Sequence, residues 1–96
     1  MKVGTGEALV MATVVAGARA GDAADFTRLV AAYHEDLLRV AFVVTGDADS
    51  ASEAAQLAWQ TAWHKLGKLR DPERVRPWLV AIAANEARQL VIERRL

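Results

Sequence analysis

Cysteine is absent from the chain, which excludes disulfides and thiolate chemistry and fits a reducing compartment. The only histidines, His34 and His64, are too few and too far apart to suggest a metal site. Long apolar runs are also missing. The longest, ALVMATVVA at 8–16, falls far short of the roughly 20 residues that span a bilayer, so no membrane segment is expected. Lys2, that short run and AGARA resemble a secretory leader only faintly. The charged start is a single lysine and the helical pattern runs straight on, which favours an N-terminal helix and a cytoplasmic location. Aromatics are few, and β-branched residues do not cluster outside short runs. Alanine dominates a hydrophobic share of 53 %, a composition that favours helix.

The residues that do chemistry in enzymes are not arranged for it. No nucleophile–base pair, glycine-rich phosphate loop, H-x-x-x-H motif or close carboxylate pair on an apolar wall stands out. The chain therefore reads as a non-enzyme without a cofactor. Ser50, Ser52 and Asp49 look like helix-start residues, and Glu35 and Asp36 like a solvated face. Net charge is zero, but it is unevenly spread. Residues 1–63 hold 4 Lys+Arg and 8 Asp+Glu, and residues 64–96 hold 8 and 4, so the halves carry −4 and +4. A basic end can meet phosphate. Arg and Lys also gather at helix C-termini through the macrodipole, so the asymmetry alone does not decide.

Gly21-Asp22, Thr45-Gly46-Asp47, Gly67 and Asp71-Pro72 punctuate segments of helical period, with no internal repeat. A short helix is expected over about 7–20. A second, capped by Asp22, is expected over about 23–44, with the stripe Phe26, Leu29, Val30, Tyr33, Leu37, Val40, Ala41, Val44 and a stop at Gly46. Asp49 or Ser50 caps a third that runs to about Leu66. Its stripe is Ala51, Ala55, Ala58, Trp59, Ala62, Leu66, with Trp63 beside it in the core and Gly67 as the C-terminal glycine. A basic loop, GKLRDPERVR, leads to a last helix with Pro77 in its first turn and Trp78, Leu79, Ile82, Ala83 and Leu90 on its buried side. The fold expected is all-α, a compact bundle of three main helices plus a short N-terminal helix, forming one domain over 1–96.

The stretch RPWLVAIAANEARQ (76–89) carries more than a core helix needs. At 100° per residue, Ala81, Ala84, Asn85, Arg88, Ile92 and Arg95 share a sector away from the apolar side. Asn can bond a base edge as both donor and acceptor, and Arg can bond phosphate or stack on a base. Trp78 either plugs the bundle or supports an unstacked base, the plug being the simpler role.

Three stretches in order carry a family resemblance. AGARAGDAADFTRLVAAYHEDLLRVAF has the G-D, the F-x-x-L and the following Y. VTGDADSASEAAQLAWQTAWHKL has the T-G-D turn and then a helix usually written A-E-D-L-V-Q-E-T-F-x-x-A-W. LRDPERVRPWLVAIAANEAR parallels F-R-P-W-L-x-x-I-A-x-N. From about Val14 to Arg95 the chain resembles region 2 of bacterial sigma factors of the extracytoplasmic-function group.

The resemblance implies a module that binds core RNA polymerase and recognises and melts the promoter minus-ten element. Glu53, Gln56, Leu57 and Gln60 would face the clamp helices of the polymerase's largest subunit. Asn85 would lie by the pocket for a flipped base of the non-template strand, which Ile82 and Trp78 help form. The loop from Lys68 to Arg76, with Arg70 and Arg74, would close over that base. The chain departs from the family pattern at Ser52 and Leu57, where carboxylates are usual, and at Ala81 and Ala84, where arginines are common; Arg88, Arg94 and Arg95 are candidates to compensate. The family's second helical domain, with a helix-turn-helix for the minus-thirty-five element, has no counterpart here, which favours an excised domain over a natural short form. An anti-sigma protein is a further candidate partner, as is weak pairing with a second copy through the alanine-rich patch at Leu57. The lost carboxylates and arginines support an alternative, a sigma-like interaction domain without DNA function.

Overall fold

The computed structural model describes residues 3–95, so Lys2, the one charge of the leader-like start, lies outside them. They form four helices, α1 (Val3–Arg19), α2 (Ala23–Thr45), α3 (Ala48–Lys65) and α4 (Val75–Arg95), with two 3-10 turns, Leu66–Lys68 and Pro72–Arg74, between α3 and α4. No strand occurs among the described residues, and none of their helices is long and apolar enough to cross a membrane. The architecture is the all-α bundle expected, except that the first helix starts earlier and is nearly as long as α3.

Local chemistry sets the boundaries. Asp22 is extended and its carboxylate accepts from the backbone N–H groups of Ala24 and Asp25, satisfying donors that the first turn of α2 leaves free. Gly46 ends α2 in the left-handed region at φ 69°, where a side chain would be strained, and its N–H bonds Phe42 O. The α3 cap is Asp47, two or three residues before the expected Asp49 or Ser50, because its carboxylate accepts from Ser50 N–H at 2.9 Å. Gly67 is not a left-handed stop. The chain tightens into the 3-10 turn, with Leu69 N–H bonding Leu66 O.

α2, α3 and α4 pack against one another, and α1 lies along α2 and over the Pro72–Arg74 turn. The main core joins Leu29, Tyr33 and Leu37 of α2 to Ala55, Ala58, Trp59 and Ala62 of α3, Leu79 and Ala83 of α4, and Val15 and Ala18 of α1. A smaller cluster of Ala41, Ala51, Ala54, Ala87 and Leu90 closes the other end, with Val44 and Leu57 against it. Small side chains on the buried faces of α3 and α4 let the backbones approach closely.

Three expectations are corrected. Trp63 is not core: it is 41 % exposed, held at the edge by a 4.8 Å contact with the Phe26 ring. The basic segment is not a free loop, because Leu69 and Val75 are buried and anchor it to the core. Asp36, read as solvated, is only partly exposed and is shared by Arg39 and Arg76, at 2.9 and 3.0 Å.

At the α3 start, Ser50 is the one buried polar side chain among the described residues. Its hydroxyl donates to Asp47 and accepts from Arg94, which also pairs with Glu53 at 2.9 Å. The Ser50 hydroxyl, then its N–H, holds the Asp47 carboxyl below its ordinary value. A carboxylate made more acidic by folding stabilises the fold above its unfolded pKa, and that contribution is lost as pH falls through the folded one. Asp47→Asn keeps the capping oxygen without the charge. Its urea midpoint should lie below that of the parent at neutral pH, and the two should converge on acidification below the usual carboxylate range. A constant gap down to acid pH would mean that the charge does not matter.

Candidate nucleic-acid and protein interface

The first turn of α4 is entered through the Pro72–Arg74 turn, itself capped by Asp71, whose carboxylate accepts from Glu73 N–H at 3.0 Å. Burial of Val75, Leu79, Ala83, Ala87 and Leu90 then fixes the rotation of α4. This rotation leaves Ala81, Asn85 and Arg88 exposed, and leaves Trp78 and Ile82 half-buried at the margin. Both margin residues pack on the main core, so the plug role of Trp78 is met in part while one side of it stays open.

The open side faces a groove of about 710 Å³ between α3 and α4, within the range of about 300–1,000 Å³ usual for small-ligand sites. Trp78, Ile82 and Asn85 line it from α4, together with Ala81, Glu86 and Gln89. Gln60, Thr61, His64 and Lys65 line it from α3. An aromatic ring, an amide and an ammonium thus share one concave, solvent-open surface. Across it, the Thr61 hydroxyl donates to Glu86 Oε2 at 3.1 Å and ties the two helices together.

The other residues singled out from the sequence are spread more widely. Lys68, Arg70 and Arg74 are exposed on the segment between Lys65 and Val75, and they do not line the groove. Arg88 stands one turn beyond Asn85, also outside it. Arg76 projects to the opposite side of α4, where it pairs with Asp36 of α2. On α3, Glu53, Gln56 and Gln60 are exposed at successive turns and Leu57 is half-buried against the smaller cluster. Gln60 belongs both to that face and to the groove, so the two candidate surfaces adjoin along α3.

Thr61, His64, Lys65, Glu86 and Gln89 are groove residues that sequence reasoning did not single out. Glu86 follows Asn85 directly and Gln89 lies one helical turn beyond it, so both could have been suspected. The α3 residues could not, because only the packing of α3 on α4 brings them there. Among the described residues, no group of three or more His, Asp or Glu could hold a metal ion.

The sigma-70 region 2 family matches residues 29–95. A protein of Xanthomonas campestris pv. campestris, described as a probable RNA polymerase sigma factor (RfaY), is 34 % identical over 71 residues. That alignment covers 74 % of this chain but 18 % of the relative. No solved structure matches. The matched residues run from the first fully buried leucine of α2 through the end of α4 and include every groove residue. The chain belongs to the sigma-70 region 2 family.

Proposed function

We propose that this chain is the promoter-reading module of a sigma factor of the extracytoplasmic-function group, acting in the cytoplasm in transcription initiation. Its α3–α4 groove holds an extruded base from the non-template strand of the minus-ten element. The outer turns of α3, at Glu53, Gln56, Leu57 and Gln60, meet the clamp helices of core RNA polymerase. The observation that carries this reading is the convergence of Trp78, Ile82 and Asn85 in one open groove.

No bond is made or broken in this function. A base leaves the duplex at a cost of unstacking and unpairing, and the protein must offset that cost. The Trp78 ring and Ile82 offer an apolar surface to the base, the Asn85 amide offers both a donor and an acceptor to its edge, and Lys65 offers a cation to the backbone. Lys68, Arg70 and Arg74, exposed just beyond the α3 end, extend the cationic path along the strand.

Asn85→Ala should reduce discrimination at one base position by about 1–3 kcal/mol while leaving affinity for other sequences little changed. Fluorescence anisotropy with short single-stranded oligonucleotides, varied one base at a time at low salt, reads this directly. An equal loss for every base would contradict the role given to Asn85. A second reading, an interaction domain without DNA function, is favoured by one feature: the groove wall carries Ala81, where arginine is common in the family, so no cation stands there to meet a phosphate. Binding blind to both base and mutation would select that reading.

A further inference from the structure

One acidic side chain, Glu86, lines the groove beside Asn85. A carboxylate is a poor neighbour for a phosphate backbone, so its presence in a nucleic-acid groove calls for a cause. It is half-buried, and the Thr61 hydroxyl holds its Oε2 from across the helix pair. Oε1 has no partner among the described residues. An ionised carboxylate is an acceptor only, with no donor to give. Fixed in orientation by Thr61, it sets a demand on whatever occupies the groove: a donor must point at it.

We infer that Glu86, oriented by Thr61, is a specificity-determining residue of the groove and accepts a hydrogen bond from the exocyclic amino group of an extruded cytosine or adenine. The inference rests on the base-binding reading of the groove. The two bases share the needed edge. Each places an amino donor beside a ring-nitrogen acceptor, so the amine faces Glu86 while the Asn85 amide donates to the ring nitrogen. Thymine offers two carbonyl oxygens flanking one N–H, and those oxygens repel a carboxylate. Guanine sets two donors side by side, its ring N–H and its amine. Both can face Glu86, but the edge then gives the Asn85 amide N–H no ring nitrogen to bond, so a guanine preference would assign Glu86 a different pairing from the one inferred. Glu accepting from a cytosine amine is a known pairing on duplex edges, and the same donor–acceptor logic applies to an unstacked base.

The test measures anisotropy of labelled single strands that differ at one position, at low salt, with the parent chain, Glu86→Gln, Thr61→Val and Asn85→Ala. Circular dichroism melts check that each variant is folded. The parent should favour the cytosine or adenine strand over thymine by roughly fivefold or more. Glu86→Gln should bring that ratio near one while affinity for all strands holds or rises, because a negative charge has left the groove. Thr61→Val, which frees the carboxylate without removing it, should lower the ratio without raising affinity. Selectivity that survives Glu86→Gln but disappears in Asn85→Ala would overturn the role of Glu86 and leave the groove reading intact. A parent that binds all bases alike, or prefers thymine or guanine, would overturn the inference, and in the first case the groove reading with it.

Discussion

Leu37→Ala should destabilise the fold by about 2–5 kcal/mol. Leu37 is wholly buried at the centre of α2, the helix packed most extensively against the other three. Removing its branched end costs the transfer free energy of the lost groups and leaves a cavity that the surrounding helices cannot fill without moving. Domains of this size are stable by about 5–15 kcal/mol, so the loss is a large share of the total. A fall in the thermal midpoint of about 10 °C or more is expected, read by circular dichroism. The neighbouring Leu38, half-buried on the outer side of α2, is the control: Leu38→Ala should cost distinctly less. Equal costs at the two positions would mean that α2 is not seated as described.

The same contrast between adjacent residues explains how much of the fold was legible in the sequence. Along α2 the apolar stripe, the Asp22 cap and the Gly46 stop were all readable, because each is a local signal with a local cause. The α3 cap was misplaced because Asp47, Asp49 and Ser50 are all competent, and only backbone direction decides among them. Trp59 and Trp63 are indistinguishable by period, four residues apart on one helix. Trp59 is covered by α2 and Trp63 reaches past its edge, a difference set by the crossing of the helices. Gly67 misled for a related reason: its neighbours Leu66 and Leu69 are both buried, and a tight 3-10 turn serves them better than a left-handed stop. Leu69 and Val75, apolar within a basic segment, were a sign of anchoring that could have been read. At the groove, the period alone set Trp78 and Ile82 on the buried side and Asn85 on the other. It was the family resemblance that placed the three around one pocket, and their half-buried or exposed positions on α4 let them share its wall. The Thr61–Glu86 bond joins residues 25 positions apart and exists only once α3 lies against α4.

Trp59→Ala should cost about 3–5 kcal/mol, and Trp59→Phe far less. The buried face of α3 is otherwise alanine, with Ser50 at its start, so Trp59 is the one large side chain that this helix commits to the core. It is 7 % exposed, meets the Phe26 ring edge-to-face at 5.8 Å, and donates its indole N–H to His34 Nδ1 at 3.0 Å. Phenylalanine keeps most of the apolar contact and the aromatic pair but loses the donor. The part-buried His34 nitrogen is then left to water, at about 1 kcal/mol for a neutral hydrogen bond. Alanine loses all three interactions and opens a cavity between α2 and α3. The consequence reaches the site, because α3 carries Gln60, Thr61 and Lys65 as one wall of the groove. Unfolding in urea gives the two costs, and oligonucleotide binding below the unfolding transition gives the effect on the groove. If Trp59→Phe were as damaging as Trp59→Ala, the bond to His34 rather than burial of the ring would be what seats α3.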